Sequence, residues 1–417
     1  MPNYLIQAAI TLSVGACLAA ACSAADETNG FTQGAGASAG DPSGSGQGTG
    51  GLGLTSGSGS GTGGGILMVE PPCEGVDPGI DNDLDGWTGA AGDCNDCTAQ
   101  MNPGAQDYAG NAIDDDCNGA PDDNPTDCDA SLVLDDSDAL SGARAMGLCK
   151  AAQGESWGVV SARYMRSDGL PLEGSDLELG RGILDRFGPN VNPQEGVKLL
   201  ALSSGAARQP TDNGYVSVSG FQKDFIPHGA PPGFPKESPS CMDVVTGDPY
   251  DSAGVELVIK TPTNAKSLSF NLNFYTYEFP EYICSTYNDF FVALLSPPPA
   301  AYPDGNISFD SMNNLISVNA GFLDVCYPQT AGDKPFPCLL GPEQLLGTGY
   351  DEQANGSAAT GWLKTSSAIE DPGGEITLFF TIWDSGDPDL DSTVLLDNFV
   401  FNVDGASTVT EPVDVPE

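Results

Sequence analysis

Positive charge is scarce in this chain. It holds 14 Lys and Arg against 58 Asp and Glu in 417 residues, and a single histidine, His228. No basic side chain precedes Arg144. A net charge of −44 excludes nucleic acid as a partner, because neutralising phosphates takes clustered Lys and Arg. It equally excludes electrostatic adsorption to anionic lipid. One histidine leaves one residue for imidazole base catalysis or imidazole metal ligation, which disfavours copper. His228 lies among Pro227, Pro231 and Pro232 with no nucleophile motif beside it, and zincin motifs are absent. Long apolar runs are also lacking. Residues 5–21 are the nearest approach, and they are too short and too Ala-rich for a membrane-spanning helix.

Glycine, proline, cysteine and aspartate fill the gap. With 54 Gly and 32 Pro, turns and strands are favoured over long helices. A hydrophobic share of 40% still supports a sizeable core, so this is not a wholly disordered acidic polymer. The length gives room for two or three domains. Of 12 cysteines, Cys17 and Cys22 lie in the apolar N-terminus; the rest are dispersed from Cys73 to Cys338. An even, dispersed set behind a secretion-type N-terminus implies disulfides in an oxidising compartment. Cys94-x-x-Cys97 has zinc spacing, but no second such pair follows and its neighbours are hard oxygen donors.

Residues 73–138 carry 18 carboxylates, no Lys or Arg, and five cysteines. Asp81, Asp83 and Asp85 alternate and are followed by Gly86, the start of an arrangement that wraps a hard cation in oxygen. The Trp87 carbonyl falls at the next ligand position of an EF-hand. The twelfth position, where an EF-hand needs Glu, is Gly92. Asp93 and Asp96 must therefore close the shell. No amphipathic helices flank the loop, so a loop-rich repeat pinned by disulfides and stabilised by metal is expected. Asp and carbonyl oxygens suit Ca²⁺, with Mg²⁺ or Mn²⁺ as other hard cations. The bland alternative is a solvated acidic surface.

Residues 77–123 are similar to a metal-binding motif of bacterial surface proteins, myxobacterial ones among them. The carrying residues are Asp81-x-Asp83-x-Asp85-Gly86, Gly92-Asp93-Cys94-Asn95-Asp96, Pro103-Gly104-Ala105, Asp114-x-Asp116-Cys117-x-Gly119 and Asp122. The resemblance adds Asp114, Asp116 and Asp122 to the metal ligands. Asp107 stands where the motif usually has Glu, and Cys97 is an addition, to be paired with Cys73 or Cys128.

The N-terminus ends Leu18-Ala19-Ala20-Ala21-Cys22-Ser23, which resembles the lipobox of bacterial lipoproteins. That resemblance implies lipidation at Cys22, with Cys17 as the other candidate. A cleaved signal peptide with a free product and a retained helix are the alternatives. Residues 23–70, mostly Gly, Ser, Thr and Ala, cannot bury enough surface to fold and read as a flexible tether.

Beyond residue 130 the pattern turns to strands. A short helix is expected from Ser137 or Asp138 to Leu148. Strands follow at 157–165, 255–260, 268–274, 290–295, 376–383 and 393–403. In the third, Leu268, Phe270, Leu272 and Phe274 alternate with Ser269, Asn271 and Asn273. Many strands parted by Gly, Pro, Asn and Asp loops predict a mainly β protein: a jelly-roll-like β-sandwich preceded by a small loop-rich, disulfide-containing Ca-binding module. The expected divisions are 1–22 lipoprotein-type signal, 23–70 linker, 71–129 acidic module, 130–404 sandwich and 405–417 acidic tail. Segments such as Trp157-Gly158-Val159-Val160, Leu202-Ser203-Ser204-Gly205-Ala206-Ala207-Arg208 and Asp391-Ser392-Thr393-Val394-Leu395-Leu396-Asp397-Asn398-Phe399 resemble the choice-of-anchor L family. The resemblance covers nearly all of the sandwich region. It implies an extracellular domain with no established activity.

Glu278, Asp289, Asp384, Asp387, Asp391 and Asp397 fall at expected strand ends. The first four with Asp397 make a candidate second Ca²⁺ site; capping of turns is the alternative. Tyr275, Tyr277, Tyr282 and Tyr287 form a candidate sugar platform, or else core packing. The expected function is a non-enzymatic cell-surface or outer-membrane lipoprotein for adhesion or envelope interaction. It would be membrane-attached through its N-terminal lipid, with a polysaccharide or surface protein as partner; simple secretion is the runner-up. A carbohydrate-binding module and a carboxylate-dependent glycoside hydrolase are the alternatives, since a hydrolase of that kind needs only two carboxylates.

Overall fold

A computed structural model describes residues 75–331, 334–352 and 356–413. The signal, lipidation and linker expectations, with Cys73, lie outside these residues. Asp138 caps the helix α1 (Ala139–Ala145), its carboxylate accepting the Leu140 N–H at 3.0 Å. The strands are β1 (Gly158–Met165), β2 (Arg181–Leu184), β3 (Leu199–Ser203), β4 (Pro249–Lys260), β5 (Ser267–Thr276) and β6 (Phe290–Ser296). Short strands β7 (Ile316–Ser317), β8 (Val325–Cys326), β9 (Gln329–Ala331), β10 (Lys334–Phe336) and β11 (Ala358–Ala359) follow. The chain ends with β12 (Leu363–Ala368), β13 (Glu375–Ser385), β14 (Ser392–Asn402) and β15 (Val409–Pro412).

Two antiparallel sheets form a jelly-roll-like sandwich. One runs β1-β4-β13-β6-β7, the other β15-β12-β5-β14-β3-β2, with β11 and β8 extending it beside β5. Successive long strands β4, β5 and β6 alternate between the sheets, and so do β12, β13 and β14. The late strand β13 thereby fits between β4 and β6, pairing Phe380 with Val255 on one side and Ala293 on the other.

Alternation along the strands divides their side chains among three buried layers. Leu268, Phe270, Leu272 and Phe274 of β5 meet Leu378 and Phe380 of β13 in the main core, where the Phe270 and Phe380 rings touch edge to face at 4.9 Å. The opposite face of β5 and β14 is covered too. There Tyr275 and Leu395 pack with Phe187, Val191, Leu345 and Tyr350. A third, smaller layer of Phe290, Val292, Leu315 and Trp383 covers the outside of β6 and β13. Both faces of β5 are therefore covered: Ser269, Asn271 and Asn273 are all buried as well.

The described residues all fall in one compact unit, in which the acidic module is docked on the sandwich. The tail expected from residue 405 contributes β15, which pairs with β12. No helix among the described residues is long and apolar enough to cross a membrane.

Candidate metal sites

The loop at residues 81–87 is folded by its own carboxylates. Asp81 accepts the N–H groups of Leu84 (2.7 Å) and Gly86 (3.0 Å). Leu84 and Gly86 both have positive φ, 67° and 95°, and the glycine adopts that conformation without strain. Asp83 accepts the Asp85 N–H at 3.3 Å, and Asp85 accepts the Trp87 N–H at 2.8 Å. Asp81, Asp83 and Asp85 thus bring ligand oxygens within 4.8 Å of one another. Asp83 belongs to a second such group with Asp93 and Asp96, the two residues expected to close the shell where Gly92 stands.

Charge repulsion is evident in this cluster. Burial, reinforced by Asp85, Asp83 and Asp96, pushes the Asp93 carboxyl up to about 6. Burial likewise raises Asp83 and Asp85. Asp96 is lowered, first by the Asn82 backbone N–H and also by the Asn82 side-chain amide, both at 2.8 Å. Asp83 Oδ2 and Asp93 Oδ2 are buried without a hydrogen-bond partner, and Asp93 is 7% exposed. Native structures rarely leave such oxygens orphaned. A hard cation satisfies them, and every side-chain donor in these groups is a carboxylate oxygen, which fits Ca²⁺ or Mg²⁺ better than zinc or copper.

A third group joins Asp107, Asp116 and Asp123. Asp107 accepts the N–H groups of Asp115 (2.7 Å), Asp116 and Asp123 (both 3.1 Å). Of the ligands inferred from the motif, Asp116 joins this group. The structure places Asp114 and Asp122 outside it, as turn braces: Asp114 accepts from Asn118 and Gly119, Asp122 from Gly110 and Ala112. Asp107 and Asp123 are the additions. Asp107 carried a signal, since it occupies the motif's usual Glu position; Asp123 carried none. Lys150 reaches this group from the sandwich, its ammonium 3.3 Å from Asp116.

Disulfides fix these loops. Cys94 pairs with Cys117 and Cys128 with Cys149. The first removes Cys94 from any zinc pair, and the second removes Cys128 as the partner of Cys97, which is itself disulfide-bonded. Cys241–Cys284 and Cys326–Cys338 cross-link the sandwich loops. Asn102 connects the first metal loop to the sandwich. Its amide donates to Asp85 (2.8 Å), and its carbonyl oxygen accepts the Thr263 hydroxyl (2.7 Å) in the turn between β4 and β5.

At one end of the sandwich a second set of carboxylates is buried outright. Asp289, Asp384 and Asp391 have no exposed surface and Glu278 is 3% exposed. Asp289 accepts the Ser385 N–H (3.0 Å) and the Ser392 hydroxyl (2.6 Å). Burial raises Asp384, Asp391 and Glu278 well above the ordinary carboxylate range and takes Asp289 to about 7. Asp387 is half-buried and lines a cleft of about 540 Å³ with Glu278, Tyr282, Tyr287 and Asp389. Asp397 lies elsewhere. It accepts the N–H groups of Gln194 (2.5 Å), Glu195 (3.4 Å) and Asn398 (2.6 Å), which makes it a turn brace. Sequence reasoning missed Asp251 and Lys223, which join this end from β4 and the preceding loop. Of the four tyrosines, Tyr275 and Tyr277 are buried, while Tyr282 and Tyr287 meet edge to face at 5.6 Å in the cleft.

His228 is held between Asp224 (3.0 Å) and the Ser252 hydroxyl (2.7 Å). The three residue types match a hydrolytic triad. Ser252, however, has no exposed surface, and its oxygen accepts the Ser167 N–H at 3.0 Å. A substrate carbonyl has no route to it, so the arrangement pins a loop to β4. No family model, curated protein or solved structure matches the chain.

Proposed function

We propose that this protein is a non-enzymatic, extracytoplasmic surface lipoprotein of the choice-of-anchor L kind. Its acidic module binds Ca²⁺ and braces a β-sandwich used in adhesion or envelope interaction. The observation that carries the cation reading is the pair of orphaned oxygens, Asp83 Oδ2 and Asp93 Oδ2, in a group of carboxylates drawn within 4.8 Å. Four disulfides between described cysteines, with Cys97 disulfide-bonded as well, support an oxidising compartment. Attachment rests on Cys22, and Cys22→Ser with fractionation tests it separately.

Calorimetric Ca²⁺ titration and melting of the whole chain test the module. With ligand at about 100 times Kd, Ca²⁺ raises stability by about 2.7 kcal/mol. Asp83→Ala with Asp85→Ala weakens the tightest binding on the order of 100-fold and removes most of that gain. An unchanged isotherm in the double variant defeats the reading. The cleft with Tyr282 and Tyr287 favours a carbohydrate as the sandwich's partner, because paired aromatic rings with carboxylates at the rim suit a sugar's apolar face and hydroxyls. A glycan array tests it, and binding that survives Tyr282→Ala and Tyr287→Ala counts against the cleft.

A further inference from the structure

We propose that the carboxylates buried at the sandwich end form a second cation site, inside the fold and separate from the module. Asp384 and Asp391 supply its ligands, Asp289 positions them, and Glu278 opens it to the cleft. Both oxygens of Asp384, both of Asp391, Glu278 Oε2 and the Ser385 hydroxyl are buried without a hydrogen-bond partner. The Ser204 hydroxyl is shared between the Ser392 carbonyl, at 3.2 Å, and Asp384, which leaves Asp391 as the acid with no neutral donor on either oxygen. Asp391 is pressed against backbone: a Cβ on Gly205 would fall 1.9 Å from its Oδ2. Only glycine permits that approach.

The protein's own cation does not meet the need. Lys223 is buried beside these groups, but its ammonium donates to the carbonyls of Ser203 (2.8 Å) and Asp251 (3.0 Å). Asp251 accepts the Lys223 backbone N–H at 2.7 Å and keeps one orphaned oxygen. Five buried carboxyls therefore face one ammonium, and uncompensated buried charge is strongly destabilising. Protons alone satisfy part of the set. Asp289 lies close enough to Glu278 and Asp384 to share a proton with them. Asp391 remains, with both oxygens unpartnered; Lys223 is its one cationic neighbour, against Asp251, Asp289 and Asp389. The donors are carboxylate and hydroxyl oxygens, which select a hard divalent cation such as Ca²⁺. The carboxylates are not gathered within 4.8 Å as the module's groups are, so the ion keeps water among its ligands. The cleft bounded by Glu278, Asp387 and Asp389 is its access path.

The test uses the whole chain with the module's groups disabled by Asp83→Asn, Asp93→Asn and Asp107→Asn. Tb³⁺ is the probe, because Trp383 adjoins Asp384 in sequence and the buried Tyr350 lies in the electrostatic field of Asp384 and Asp391. We expect saturable, Ca²⁺-displaceable Tb³⁺ emission. Adding Asp384→Asn or Asp391→Asn weakens it at least on the order of tenfold. In chelator, Asp391→Asn melts no lower than its parent, since it removes a buried charge, and it gains nothing from Ca²⁺. Emission absent from the module-disabled chain, or unaffected by either substitution, overturns the site in favour of shared protons. Should the triple variant fail to fold, equilibrium dialysis of the otherwise intact chain decides. Asp391→Asn then lowers bound Ca²⁺ by one ion, and an unchanged count overturns the proposal. An ion lost with Asp83→Ala and Asp85→Ala belongs to the module, so each reading fails independently of the other.

Discussion

Asp81 in the module has both carboxylate oxygens bonded to backbone amides, whereas Asp384 at the sandwich end has both oxygens buried without a partner. The module orders its acids by folding short turns around them; Asp81, Asp83 and Asp85 stay part-exposed, while Asp93 and Asp96 are buried. The sandwich holds its acids by packing strands over them. Hydrogen-bonded, part-solvated carboxylates tolerate the absence of metal; dry, unpaired ones do not. The two regions therefore differ in what a cation does for each. On the proposed reading, a cation in the module would complete an arrangement the backbone has already drawn, and one at the sandwich end would offset charge that the fold itself creates.

The module is not independent of the larger domain, and Asn102 is where that link is most exposed to test. Asn102 is fully buried and joins Asp85 to Thr263. Asn102→Ala leaves both partners unsatisfied, at a cost of about 1–3 kcal/mol. We expect calorimetry to show the single melt broadening or splitting, with the lower transition alone responding to Ca²⁺ at low concentration. A single unsplit melt that keeps its full Ca²⁺ response would mean that the two regions are coupled by other contacts.

Asp93, Asp289 and Asp397 have folded-state values of about 6, 7 and 7, all above the unfolded value of 3.8. The native state therefore binds protons more tightly than the unfolded chain. The stability tied to these protons is fully present below pH 3.8 and is lost as pH rises through about 6 to 7. The lowered groups, Asp96 and Asp168, lose their contribution below that window. In chelator, the melting temperature should rise as pH is taken from 7.5 to 5.5. In excess Ca²⁺ the trend reverses, because protons compete with the ion for the same oxygens. Parallel slopes with and without Ca²⁺ would separate the buried acids from metal binding altogether.

Which parts of this were legible in the sequence follows from how local each signal is. Asp81, Asp83 and Asp85 lie within one turn-forming loop, and Gly92 at the EF-hand's last position directed attention to Asp93 and Asp96; the structure groups these five around Asp83. Asp138 as a helix cap and the alternation in β5 were equally local. The alternation left open what covers the face that carries Ser269, Asn271 and Asn273. They are buried because a second layer, including Gln344 and Tyr350, lies over them; Asn273 donates to Gln344 at 3.2 Å. Strands β12 and β15 were missed because Thr and Ser supply their inward positions, as with Thr365 and Thr410, whose hydroxyls bond each other at 2.8 Å. Asp251 and Lys223 were illegible for a different reason. Their proximity to Asp384 exists only once β4 pairs with β13.

The smallest effect concerns Asp397, the residue grouped by sequence with the sandwich acids and placed by the structure among turn amides. Its carboxylate accepts three backbone N–H groups, and burial carries its value up to about 7 despite them. Asp397→Asn keeps the shape and one acceptor oxygen, so it should cost about 1 kcal/mol at pH 7.5, the scale of one hydrogen bond. It should also flatten the part of the pH dependence between 5.5 and 7.5 that Asp397 supplies, because the asparagine has no proton to exchange. Ca²⁺ stoichiometry and affinity should be untouched. A lost ion in this variant would return Asp397 to the ligands and would mean that the turn at Gln194 and Glu195 is braced by metal. An unchanged ion count with an altered pH slope assigns the residue to the backbone. The contrast between the two regions then rests on Asp289, Asp384 and Asp391 against the module's Asp83 and Asp93.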